Sequence, residues 1–167
     1  MINKIKKRII GTGIWGCAAI VIYKIGNYLV DFKFPLLKQV LWIVYMIMDL
    51  IVVRGICGAE LNPNGDIGKN VSFIHNANGV MLGGGYSIGN NSTVYHQVTI
   101  GVINNKSGSP QIGKNVFIGA GAKILGPIVI GDNAKIGANA VVLCDVPENA
   151  TAVGVPARII IDNKNIQ

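Results

Sequence analysis

Two hydrophobic rhythms divide the chain, and they meet near Gly55. Up to residue 58 the apolar positions come in three long stretches, 9–30, 34–48 and 50–53, with few charges between them. Runs of this length read as helices rather than strands. The string DFKFP at 31–35 reads as a turn between two of them, because Pro35 disfavours helix at Phe34. In the second helix Lys38, Trp42, Tyr45 and Asp49 fall at i, i+4, i+7 and i+11, one narrow stripe on an otherwise aliphatic cylinder. Such a helix either packs on most of its sides or lies in a membrane interface with that polar stripe outward.

After Gly58 the period becomes six. Ile112, Ile118, Ile124, Ile130, Ile136 and Val142 keep it without a break, and Ile88, Val94 and Ile100 keep it before them. Ile67, Phe73 and Val80 join the series with small insertions, and Gly often follows the aliphatic residue. Six fits neither an α-helix nor an alternating strand. It predicts hexapeptide repeats, short strands wrapped into a three-sided prism with each aliphatic residue pointing inward. Gly and Asn, as in IGNN and IGKN, suit corners that need positive φ. Residues 103–111 lack the pattern and read as a loop thrown out from the coils, and Gly83–Gly85 as a corner or insertion beside the site. The predicted fold is therefore mainly β: a parallel β-helix over 59–160, an apolar helical region over 1–58 and a tail over 161–167.

Composition narrows the function. Half of the chain is apolar and 22 of its 167 residues are Gly, which excludes a disordered polar protein. The net charge of +7 is unevenly placed: residues 1–58 carry eight basic and two acidic side chains, +6, whereas 59–167 carry seven and six, +1. A basic excess confined to an apolar region predicts an anionic membrane surface as partner. Nucleic acid is not expected, since no basic residues interleave with aromatics across the solenoid. Lys4, Lys6, Lys7 and Arg8 lead into only 15 uncharged residues, Ile9 to Tyr23, too few to span a bilayer, and no signal-peptidase site follows. Cys17, Cys57 and Cys144 form no metal spacing and read as reduced thiols. The expected location is the cytoplasm, peripheral on the inner face of the membrane.

The chain has two histidines, His75 and His96. Each is the third residue of a hexad, opened by Phe73 and Val94. With Phe73, Val80 and Ile88 opening three successive hexads, Val94 begins the next coil directly over Phe73. Strands in adjacent coils lie about 4.8 Å apart, so the two imidazoles should be neighbours on one face. An imidazole is a competent general base at neutral pH. Ala120 and Ala138, also third residues, lie 18 apart and should stack likewise; their small size leaves room for an extended ligand along the backbone. Lys123, Lys135 and Arg158 are candidates for binding its phosphates. No metal is expected, because a γ-type carbonic anhydrase site needs three histidines.

Over residues 58–160 the chain resembles the left-handed parallel β-helix acetyltransferases. The strings ELNPNGDIG, HNANGV, HQVTIG, IGAGAKILG and AVGVPARI carry the resemblance. It is nearest to the serine acetyltransferase branch and to the related colanic-acid and capsule O-acetyltransferases. The resemblance implies acetyl-CoA as donor and a homotrimer with sites at subunit junctions. It implies that His75 is the base, paired with a carboxylate at Glu60, and that Ala120 and Ala138 face the CoA groove. Three departures touch serine recognition or assembly: Ser109 stands where that branch has a second His, Ile74 where it has Asp, and its helical region is longer than 58 residues. Relatives acting on glycans have a short apolar N-terminus and a His in the string equivalent to HQVTIG, as His96 is here. The expected acceptor is therefore a capsular or exopolysaccharide hydroxyl, with L-serine as the alternative. A non-catalytic membrane-bound scaffold, and Cys144 as an acyl-carrying nucleophile, remain open at this point.

Overall fold

The computed structural model describes residues 11–104 and 106–161. The basic residues Lys4, Lys6, Lys7 and Arg8, and most of the expected tail, lie outside them. Two helices form an antiparallel hairpin: α1 (Ile14–Val30) and α2 (Pro35–Met48), joined by the turn that the Pro35 signal predicts. Pro35 opens α2 at its first position, where a missing N–H costs nothing. The third apolar stretch is no separate element. It continues α2 as wider π-helical turns, Asp49–Ile56, in which Asp49 and Arg54, five residues apart, meet at 2.8 Å.

Among the described residues fifteen short strands follow. β1 (Glu60–Leu61), β4 (Met81–Leu82), β7 (Thr99–Gly101), β10 (Lys123–Leu125) and β13 (Val141–Val142) make the first side of the prism. β2 (Asp66–Ile67), β5 (Ser87–Ile88), β8 (Gln111–Ile112) and β11 (Val129–Ile130) make the second. β3 (Ser72–Phe73), β6 (Thr93–Val94), β9 (Phe117–Ile118), β12 (Lys135–Ile136) and β14 (Thr151–Val153) make the third, which β15 (Arg158–Ile160) closes by antiparallel pairing. All other ladders are parallel, and Val146 extends the second side by a bridge to Ile130.

The register stacks like on like. Phe73 pairs with Val94, Val94 with Ile118, Ile118 with Ile136 and Ile136 with Ala152, all buried. The first side stacks Leu61, Leu82, Ile100, Ile124 and Val142 in the same way. One expectation needs correcting here. The hexad on the first side of the second coil is opened by Leu82, not by Val80. Nine residues rather than six separate Phe73 from Leu82, so the three inserted residues all fall in the corner that carries His75.

The corners behave as their residue types require. Between the second and third sides, Asn70, Asn91, Asn115, Asn133 and Asn149 hold φ of 56 to 65°. Their side chains bond from coil to coil, Asn70 to Asn91 and Asn115 to Asn133 to Asn149. Asn tolerates this left-handed conformation and supplies both a donor and an acceptor, so it serves a ladder that Gly could not. At the start of each such corner the coils touch backbone to backbone. A Cβ on Gly89 would sit 2.5 Å from the Gly113 carbonyl.

The hairpin packs on the first coil through α1. Tyr23 donates from its hydroxyl to the Gly65 carbonyl at 2.7 Å, and the Asn27 amide donates to the Pro63 carbonyl at 2.9 Å. α2 lies against α1 where Gly26 lets the Tyr45 ring approach; a Cβ there would be 2.5 Å from the ring. The stripe Lys38, Trp42, Tyr45 and Asp49 faces inward, onto α1, and the aliphatic residues face out. An outward polar stripe was one of the two expected arrangements; the structure inverts it.

Candidate active site

The corner between the third and first sides assembles the chemistry. Each coil contributes the residues that follow its third-side strand: His75 after Phe73, His96 after Val94, Ala120 after Ile118, Ala138 after Ile136. Because those four strand residues are in register, the four corner residues form one column. Backbone hydrogen bonds rung the column together: Gln97 N–H to the Asn78 carbonyl, Gly121 N–H to His96, and Asn139 N–H to Ala120, at 2.8 to 3.0 Å. The sequence reading places both histidines and both alanines on one face, and the structure brings them there.

His75 sits in a strained turn. His75, Asn76 and Ala77 have φ of 58, 60 and 57°, three successive non-glycine residues in the left-handed region. Each costs about 1–2 kcal/mol relative to ordinary backbone. The turn persists because its surroundings hold it. Ala77 is fully buried, the Asn78 N–H donates to the His75 carbonyl at 3.1 Å, and the Asn76 Oδ1 accepts from the Gly16 N–H at 3.3 Å. Gly16 lies in the first turn of α1, whose amides have no partner within the helix, so Asn76 caps α1 from 60 residues away. Two glycines make room: a Cβ on Gly13 would collide with the Asn76 amide, and one on Gly16 would meet the Asn76 Cα at 3.0 Å.

The imidazoles of His75 and His96 face each other edge to face, with ring centroids 5.0 Å apart. Tyr95 lies against His75 at 6.0 Å and stacks on Phe117 at 5.3 Å, a short aromatic row beside the pair. The His96 Nδ1 is buried and has no partner among the described residues. Both rings open into a cleft of about 490 Å³ lined also by Trp15, Ile56, Cys57, Asn76 and Asn78. Cys57 is a buried part of the cleft wall, and burial pushes its thiol up. Sequence reasoning missed this lining. Asn76 and Asn78 adjoin His75 in HNANG and were within reach of it, but Trp15, Ile56 and Cys57 arrive through hairpin packing that no local pattern announces.

The remaining candidates spread out. Glu60 lies on β1, is half-buried, and forms no hydrogen bond with His75; its charge is felt by Arg54. Lys123 stands on the first side and donates from Nζ to the Gln97 carbonyl at 2.7 Å, whereas Lys135 stands on the third side, so the two flank the column from opposite faces. Arg158 is exposed on β15. Cys144 is exposed between β13 and Val146, at the corner joining the first and second sides, away from the histidines. Gly83–Gly85 and the loop after Gly101 occupy that same corner, where Ser109 Oγ donates to the Gly84 carbonyl at 2.7 Å; the glycine run is thus not on the histidine corner. Among the described residues no group of His, Cys, Asp and Glu is placed to hold a metal.

The fold and this column define a left-handed β-helix of hexapeptide repeats, and residues 109–144 match the bacterial transferase hexapeptide (six repeats) family. Among the proteins to which the chain is similar are serine acetyltransferases. That of Helicobacter pylori is 46% identical over 111 residues, 65% of this chain and 64% of the relative. That of Synechococcus elongatus is 35% identical over 147 residues, 87% of this chain and 57% of the relative. Among solved structures, a serine acetyltransferase in complex with CoA superposes with a TM-score of 0.72 at 36% identity, over 89% of this chain and 57% of that one. The Neisseria gonorrhoeae enzyme in complex with serine superposes at 0.70 with 36% identity, over 84% and 54%. The chain thus spans between half and two thirds of the length of these relatives. They overturn the expectation of a polysaccharide acceptor: likeness over some 111 residues follows serine acetyltransferases, against the three local departures at Ile74, Ser109 and the helical region on which the glycan reading stood.

Proposed function

We propose that this protein is an acetyl-CoA-dependent serine O-acetyltransferase that transfers the acetyl group directly, with His75 as general base. The observation that carries the reading is the column itself: two facing imidazoles at one end, continued by Ala120 and Ala138. In this reading the serine hydroxyl lies in the cleft and gives its proton to an imidazole nitrogen of His75 as its oxygen attacks the thioester carbonyl. The tetrahedral intermediate collapses, the C–S bond breaks, and the imidazolium returns the proton to the departing thiolate. O-acetylserine and CoA leave. His96, whose ring faces His75 and lines the same cleft, is the group to orient the reacting atoms.

The pantetheine arm would run along the column past Ala120 and Ala138, where the side chains are small. Lys123 and Lys135, on either flank, and Arg158 beyond them are the cations available to its phosphates. Glu60 as partner of His75 requires a shift of its side chain from the position described. The column is open to solvent along its length, and we infer that a homotrimer, with a neighbouring subunit against this corner, completes the donor groove.

The test is thiol release from acetyl-CoA in the presence of L-serine. His75→Ala should lower turnover by about 10²–10⁴-fold with CoA binding retained. A folded His75→Ala protein with near-normal turnover would remove His75 from the mechanism, and a chain that ignores L-serine would remove the acceptor assignment.

A further inference from the structure

The hairpin is inside out. In a water-facing helix the polar residues look outward. In α2 and its π-helical continuation Lys38, Tyr45 and Asp49 look inward, and Leu36, Val40, Ile43, Ile47, Leu50 and Ile51 are 53 to 80% exposed on the outside. This helix, Pro35–Ile56, has 22 residues and a mean hydropathy of 2.0, with only 17% of its apolar window buried. An apolar patch of this extent is not left against water.

The rim of the patch shows what covers it. At the hairpin turn Tyr28, Phe32 and Phe34 form an aromatic chain with ring centroids 5.8 and 5.9 Å apart, and Tyr28 and Phe34 are more than two-thirds exposed. Lys33 lies exposed between Phe32 and Phe34, and Lys24 is exposed one turn before Tyr28. At the other end of the helix stands Arg54. Beside the patch a cleft of about 760 Å³ is lined by polar and apolar residues together, among them Lys38, Gln39, Trp42, Ile43 and Asn64. Aliphatic centre, aromatic border and lysine margin is the order of groups from hydrocarbon through headgroup to water. Among the described residues of the hairpin, Lys24, Lys33, Lys38 and Arg54 outnumber Asp31 and Asp49, so the net charge beside the patch is positive and suits an anionic surface.

We propose that the outer face of α2 docks on an anionic lipid bilayer, lying along its interface, with the aromatic turn and the lysines at headgroup level. The solenoid is then held at the membrane by its first coil. This stands independently of the acceptor assigned above.

Flotation of the full chain with vesicles tests it. The protein should rise with vesicles of equal parts phosphatidylcholine and phosphatidylglycerol, and raised salt should weaken the binding. The pair Val40→Glu and Ile47→Glu should reduce partition by about 100-fold or more while the β-helix melts as before. Should that pair misfold, Val40→Ser and Ile47→Ser should lower partition by about tenfold. The proposal is overturned if the unmodified protein stays in the aqueous layer, or if the glutamate pair floats as well as the parent. It is equally overturned if that pair changes the number of subunits and not the flotation, which would make the face a contact between copies.

Discussion

Asn76 does two things that ordinarily compete. Its backbone takes a left-handed conformation that a side chain normally resists, and its amide reaches across to finish a helix elsewhere in the chain. Replacing it separates the two. Asn76→Ala loses the cap and worsens the strain, so it should cost about 1–2 kcal/mol of stability. Asn76→Gly loses only the cap and should cost distinctly less. Denaturant melts of both variants measure the difference, and turnover should fall by about tenfold in the alanine variant as His75 drifts from His96. Equal losses in the two would show that strain at this turn is immaterial.

At the scale of elements, the inner stack and the hairpin contact fail differently. Ile124 is fully buried between Ile100 and Val142, so Ile124→Ala should cost about 2–5 kcal/mol, read from the melting of the β signal. Gly26→Leu would force α2 off α1 at Tyr45 and should cost about 1–3 kcal/mol. Its loss should appear in the helical signal, with the coils beyond the first melting unchanged. The period of six made the coils legible from sequence because every coil solves one packing problem with one residue type. It placed His75 over His96 despite three inserted residues, since a solenoid absorbs an insertion in a corner and resumes its register. It misplaced the opening of one hexad, at Val80, for the same reason: the insertion lies before Leu82 and shifts the count. The hairpin was legible as two helices and a turn, but its orientation was not. Whether the Lys38–Trp42–Tyr45–Asp49 stripe faces in or out depends on what α2 packs against, and Gly26, which decides it, lies nineteen positions before Tyr45 with no local sign of the contact.

For the whole molecule, donor and acceptor ends can be uncoupled. Ala138 is exposed on the column, so Ala138→Trp should fold and assemble normally yet block the groove. Calorimetric titration should show CoA affinity falling by about 100-fold or more while light scattering reports an unchanged subunit number. Undiminished affinity would place the donor on another corner.

The column has one further consequence. Its rungs are whole coils, each adding 18 residues and about 4.8 Å where no loop intervenes. The distance from the reacting carbonyl to the far end of the donor can therefore change only in graduations of one coil, as on a ruler with a fixed division. Mutation cannot lengthen the site gradually. It can add or remove a graduation entire, or trim a corner residue to take up the remainder, and Ala120 and Ala138 sit where such trimming would be done.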